Sequence, residues 1–155
     1  MELADILSED SVLVHDKVRD KTEALEILAD RAAVATGQDA RIIYDALTAR
    51  ETLGSTGLGN GIAIPHGKLP GLKGVSAAFL RLKQPAEFDS VDDQPVDLVF
   101  MLLAPAGAGA DHLKALARVA RLLRTDSLVE ALRASDRPEK LYALLTTALP
   151  SQNAA

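Results

Sequence analysis

The sequence predicts a single α/β domain, a sheet with helices on both faces, and three observations carry that expectation. Amphipathic helical stretches alternate with short apolar runs, the order of a three-layer α/β/α sandwich. One run, Val96 to Ala104, is almost wholly apolar, as a strand buried on both faces should be. At 155 residues, 48% hydrophobic and 25% charged, the chain is long and apolar enough to bury one core.

The elements follow in order. Leu3, Ile6 and Leu7 suit a short helical turn, and Val12 to Val14 a brief strand. Asp20 is placed to cap a helix, with Glu23 three residues on. Ala24, Leu25, Ile27, Leu28 and Ala32 supply its apolar face, and Gly37 stops it. Asp39 caps a second helix with Ile42, Ile43, Ala46 and Leu47 inward. That helix ends before Gly54 and leaves Arg50 in its last turn. After a glycine-rich loop, Ile62 to Ile64 reads as a strand that delivers His66 to its end. Val75 to Leu82 reads as a strand between Gly74 and Pro85. Glu87, Asp89, Asp92, Asp93 and Asp97 mark a solvated acidic loop before the Val96–Ala104 strand. Pro105 to Asp111 turns the chain into a helix whose stripe is Leu113, Leu116, Val119 or Ala120, and Leu123. Leu128, Val129 and Leu132 continue helically. Pro138 opens a last helix with Leu141, Tyr142, Leu144, Leu145 and Leu149 apolar. The domain is expected over residues 1–149, with a frayed tail from Pro150 to Ala155.

Composition excludes several functions. A net charge of −5 with 3% aromatics argues against nucleic-acid binding, which wants basic and stacking surfaces. Without cysteine there is no disulfide, thiol nucleophile or thiolate metal site, in keeping with a reducing compartment. The N-terminal MELADILSED has no basic segment before an apolar one, and no apolar run nears the ~18 residues of a membrane span. A cytoplasmic protein without membrane insertion is therefore expected. His15, His66 and His112 are far apart and lack metal-binding spacing, so neither metal nor cofactor is expected. Five residues separate Gly61 from Gly67, and Leu69 follows Lys68, which rules out a Walker A loop. Ile62 and Ile64 stand where a dinucleotide fingerprint needs its third glycine. No G-x-S-x-G elbow is present.

What remains is the stretch Arg50 to Lys68, which holds five of the ten glycines and ends in Pro65-His66-Gly67. From Thr52 to Ala86 there is no acid, while Lys68, Lys73, Arg81 and Lys83 are cationic. Against a net negative chain, this points to an anion, with phosphate the obvious candidate. A neutral imidazole carries a basic nitrogen near neutral pH and attacks a phosphoryl group without a separate base. The glycine-loop N–H groups, with the Ser55 and Thr56 hydroxyls, can meet phosphate oxygens. Two readings of Arg50 stay open: a fork for phosphate oxygens, or a helix-end cation favouring the dipole. Taken alone, His112, beside Asp111 in the first turn of its helix, reads as a surface or capping residue, and His15 as a surface one. Lys114, Arg118 and Arg121 lie at i, i+4, i+7, a solvated face or, more sharply, a docking surface for an acidic partner.

The segment LTARETLGSTGLGNGIAIPHGK resembles the active-site signature of enzyme IIA domains of the bacterial phosphotransferase system, fructose/mannitol class. With FDSVDDQPVDLVFMLLAP and DHLKALARVARLL downstream, it is most similar to the nitrogen-regulatory branch, over nearly the whole chain. The resemblance implies a mixed sheet of about five strands flanked by helices on both faces. It implies a phosphocarrier phosphorylated on His66, at Nε2, by a small HPr-like protein that is itself loaded from phosphoenolpyruvate by an enzyme I-type phosphotransferase. It places His112 as a second active-site histidine supporting the phosphoryl group, and Arg50 and Ser55 around the phosphate. It also implies a regulatory output whose partners include potassium-transport components, sensor kinases or stress-nucleotide enzymes. Alternatives are a free-standing fructose- or mannitol-specific enzyme IIA, and an anion-binding module without turnover.

Overall fold

The structure, a computed structural model, describes residues 2–147. In chain order its main elements are β1 (Val12–His15), α1 (Lys21–Thr36), α2 (Ala40–Glu51), β2 (Gly57–Gly59), β3 (Ile62–Ala63), β4 (His66–Leu69), β5 (Ser76–Ala86), β6 (Val96–Pro105), α3 (Ala110–Leu122), α4 (Asp126–Arg133) and α5 (Pro138–Thr147). Single 3-10 turns at Leu3–Asp5 and Glu9–Ser11 precede β1. Leu149 and the tail lie outside the described residues.

The apolar run becomes the axis of a mixed, six-stranded sheet ordered β1-β5-β6-β3-β2, with β4 also on β6. β5 runs antiparallel to β6, and β1 parallel to β5. β3 pairs with Leu98 and Val99 of β6, and β4 with Leu102 to Pro105, both parallel. The two are segments of one interrupted strand, broken at Ile64-Pro65, so the sheet is five strands wide. Side-chain alternation divides the core. Leu98, Phe100 and Leu102 face α3, α4 and α5, while Val99, Met101 and Leu103 face α1 and α2. Phe79 sits directly opposite Phe100, ring centroids 6.0 Å apart, at the centre of the first layer.

The helix signals are used as read. The Asp20 carboxylate accepts from Glu23 N–H, Gly37 closes α1 at φ +77°, and Asp39 accepts from Arg41 and Ile42 N–H. The Glu23 carboxylate, however, reaches Arg19 N–H rather than the cap residue.

Several expectations are corrected. In α3 the predicted Val119 and Leu123 are buried and Leu116 and Ala120 pack against the core, but Leu113 is 69% exposed, and His112, Ala115 and Leu122 are also turned inward. The inward face opens on a histidine rather than on Leu113, a position that apolar counting skips. Ile42 is likewise exposed. α4 is a helix of its own, separated from α3 by a turn through Thr125. β5 continues through Pro85 to Ala86; the ladder is irregular between Arg81 and Ala86, where a residue without N–H is tolerated. The acidic stretch is not simply solvated: Phe88 is fully buried in it, and Asp97 belongs to β6.

The glycine-rich stretch contains a hairpin that was not expected. Gly59 pairs with Ile62 across Asn60 and Gly61, whose φ angles of 57° and 80° are both positive, as a two-residue I′ turn requires. Arg133, at the end of α4, clamps this turn by pairing with the Asp97 carboxylate at 2.8–3.1 Å and donating to Asn60 O. Arg81 donates in turn to Arg133 O and Ser135 O, satisfying carbonyls at the end of α4.

A Cβ at Gly61 would lie 2.6 Å from Arg133 Nη2 and 3.0 Å from Asp97 Oδ1, at a positive φ. Gly61→Ala is therefore expected to lower stability by about 2 kcal/mol or more. Gly74→Ala, with open space around the new methyl, should change it by less than about 1 kcal/mol. Urea unfolding of the two variants checks the contrast.

Candidate active site: a paired-histidine cleft

His66 opens β4 immediately after the break at Ile64-Pro65, rather than ending the preceding strand. Pro65 O accepts from Leu102 N–H at 3.0 Å, so the interruption is itself pinned to β6. The His66 ring turns back on its own chain, with Nδ1 2.9 Å from Ile64 O. A carbonyl only accepts, so Nδ1 carries the proton and Nε2 keeps the lone pair. Gly67 has a different reason from the local freedom its neighbours suggest: a Cβ there would lie 3.3–3.4 Å from Cβ, C and O of Ala46. Glycine thus lets α2 cross close over β4, and Arg50, one turn further along α2, arrives at the histidine.

His66, His112, Arg50 and Lys68 line one cleft of about 580 Å³, with Leu53, Leu113 and Leu116 among its apolar residues. His112 comes in from the first turn of α3 and meets His66 edge to face, ring centroids 5.4 Å apart and planes at 85°. It is 6% exposed, and its Nδ1 has no hydrogen-bond partner. Burial, then the charges of His66 and Lys68, push its pKa below the ordinary histidine value. Arg50 is held by donating to Gly54 O at 2.9 Å. That bond braces the start of the glycine loop and leaves other guanidinium donors for the cleft.

Ser55 and Thr56 are placed differently from the rest of the predicted set. The Ser55 hydroxyl donates to Phe88 O at 3.3 Å and accepts from Gly57 N–H at 3.1 Å. The Thr56 hydroxyl is buried and donates to Glu51 Oε1 at 2.6 Å. Neither residue lines the cleft; both shape the loop beside it. The acidic segment braces the same loop from outside. Asp92 accepts from Asn60 and Gln94 N–H, and these bonds hold its carboxyl below the usual range. Of the cations in the acid-free window, Lys68 is the one that lines the cleft. The signal missed in the sequence was Asn60-Gly61, whose hairpin swings the loop back along β6. His15 lies on β1, which the sheet order puts at the far edge. No cluster of three or more potential metal ligands occurs among the described residues, and no described helix is long and apolar enough to cross a membrane.

Fold and site together define a three-layer α/β domain with two histidines and two cations at one open cleft. Residues 5–148 match the family described as "Phosphoenolpyruvate-dependent sugar phosphotransferase system, EIIA 2", and the chain belongs to that family. It is 51% identical over its full length to the whole of a nitrogen regulatory protein of Bradyrhizobium diazoefficiens. It is 41% identical to one from Klebsiella oxytoca, over 96% of this chain and 92% of that protein. The crystal structure of nitrogen regulatory protein IIA-Ntr from Neisseria meningitidis superposes with a TM-score of 0.88 at 35% identity, covering 93% of this chain and 99% of that one.

With its pKa lowered in the fold, His112 is protonated more readily in the unfolded chain. Stability linked to its neutral form is fully present above the unfolded value of about 6.5 and is lost as pH falls from there toward the lower folded value. Thermal melts from pH 7.5 to 5.5 should show this decline, and His112→Gln should remove that part of it.

Proposed function

We propose that the protein is a phosphocarrier that accepts a phosphoryl group on His66 Nε2 from an HPr-like donor and regulates partner proteins through its phosphorylation state. The observation that carries this is the bond between His66 Nδ1–H and Ile64 O. It leaves Nε2 as the unprotonated nitrogen of a ring lining an open cleft. Family membership supports phosphotransfer as the chemistry. Full-length similarity to proteins named for nitrogen regulation supports the regulatory output over sugar delivery.

The step needs no proton transfer. The Nε2 lone pair forms the N–P bond as the bond between phosphorus and a nitrogen of the donor imidazolium breaks. That electron pair returns to the donor ring, which already carries a proton on its other nitrogen and leaves as neutral imidazole. The Nδ1 proton stays in place, and the positive charge developing on the His66 ring strengthens its bond to Ile64 O. Three equatorial oxygens need cationic and N–H partners in the transition state. Arg50 and Lys68 supply charge at the cleft, and His112 a ring nitrogen. His112 Nδ1 is buried without a partner, so Nε2 is the nitrogen it can offer to the phosphoryl group. Ser55 and Thr56 contribute by using their hydroxyls to hold the loop rather than to meet the phosphoryl oxygens.

Incubation with enzyme I, an HPr-like carrier and radiolabelled phosphoenolpyruvate should give an acid-labile adduct. His66→Ala should take up none, and equal labelling of that variant would sink the assignment. His112→Ala should fold and slow transfer by about a hundredfold, the scale for losing one oriented donor. Stopped-time labelling measures the rate, and an unchanged rate would remove His112 from the site.

A further inference from the structure

Glu51 stands in an electrostatically poor position. It is the last residue of α2, where the helix dipole disfavours a carboxylate, and its side chain is only 6% exposed. Three donors hold it there. Thr56 N–H reaches Oε2 at 3.0 Å, the Thr56 hydroxyl reaches Oε1 at 2.6 Å, and Lys21 Nζ lies 3.5 Å from Oε1. Lys21 opens α1, and its ammonium also donates to Phe88 O at 3.4 Å and sits 5.8 Å from the centre of the Phe88 ring. One carboxylate therefore joins the ends of two helices, the acidic segment and the glycine loop.

The consequence runs on through the backbone. Thr56 O accepts from Ile64 N–H at 3.1 Å, and Ile64 O is the acceptor for His66 Nδ1. Glu51, Thr56, Ile64 and His66 form a continuous relay of hydrogen bonds that ends on the imidazole. We propose that Glu51 is a positioning residue: through Thr56 and Ile64 it fixes the His66 tautomer that leaves Nε2 unprotonated. Glu51 touches neither His66 nor the cleft, so it acts only through this relay. The role rests on the reading of His66 as the phosphoryl acceptor.

Glu51→Gln tests the relay with little change of shape. An amide offers one oxygen and one NH₂ where Thr56 presents two donors. The hydroxyl can turn, but the backbone N–H cannot. Lys21 also loses its counter-charge. Imidazole nitrogen NMR at pH 8 reads the tautomer directly and needs no phosphotransfer. Wild type should show a protonated Nδ1 and an unprotonated Nε2 at His66. Folded Glu51→Gln should show a mixture, and its transfer rate at saturating donor should fall at least about tenfold, with apparent KM changed less than about twofold. Glu51→Asp, which keeps charge and both acceptors, should recover the tautomer in part. A folded Glu51→Gln protein with the wild-type His66 signature would overturn the proposal.

If Glu51→Gln does not fold, Thr56→Val and Thr56→Ser decide. A tautomer shift in the valine variant alone supports the relay, and any other pattern overturns it. Should the wild-type protein take up no phosphoryl group, the phosphocarrier reading fails, while the tautomer measurement still settles the relay.

Discussion

One hydrogen bond, from His66 Nδ1 to Ile64 O, sets the chemistry of the cleft, and much of the fold exists to make it possible. The bond needs a chain that stops pairing with β6 after Ala63 and resumes at His66, so that a carbonyl two residues back faces the ring. Pro65 enforces the break, having no N–H to continue a ladder. β6 then recaptures the chain through Leu102 N–H. A regular strand through residues 62–69 would alternate its side chains and spend the Ile64 carbonyl on a neighbour. The ring would then have no local acceptor and no preferred tautomer.

Around that bond the structure spends polar contacts in an uneven way. The apolar layers above and below β6 supply most of the stabilisation, at roughly 1.5–3 kcal/mol per fully buried large side chain. The ion pairs with the least exposed carboxylates are those at the loop that carries the site. Asp97–Arg133 clamps the hairpin turn, and Lys21 with Glu51 holds the start of the loop. Partly buried pairs of this kind are weak sources of net stability, because desolvation offsets most of the attraction. Their value is directional. Removing one partner strands the other, so each fixes a single arrangement of a segment otherwise rich in flexible glycine. The hydroxyls of Ser55 and Thr56 serve the same end from inside the loop.

Much of this was legible in the sequence. Asp20, Gly37 and Asp39 mark helix ends because capping is local chemistry, complete within four residues. β6 was legible because burial on both faces leaves no polar positions, and the Pro65-His66-Gly67 triplet stood out in an acid-free window. The misreadings share a cause. Apolar counting began the α3 stripe at Leu113 rather than His112 because it cannot credit an inward histidine, although its later positions, Leu116, Val119 and Leu123, do face the core. Ser55 and Thr56 looked like free donors because their acceptors, Phe88 and Glu51, become neighbours only after folding. The need for Gly67 was not legible either, because the crossing of α2 that demands it forms only on folding. Asn60-Gly61 was a local signal, and it was obscured by the glycines around it.

The sheet's order has a further effect, on what the molecule presents to others of its kind. Its longest strands, the 11 residues of β5 and the 10 of β6, lie inside, while the terminal strands β1 and β2 have only 4 and 3. β2 is also Gly-Leu-Gly, with a shift in its pairing and a sharp turn after it, so it offers little flat backbone for another chain to zip onto. Strand-to-strand association, the usual hazard of an open sheet, is thereby kept short at both ends. Such a domain can be crowded among its own copies and still meet other proteins through side chains rather than through its backbone.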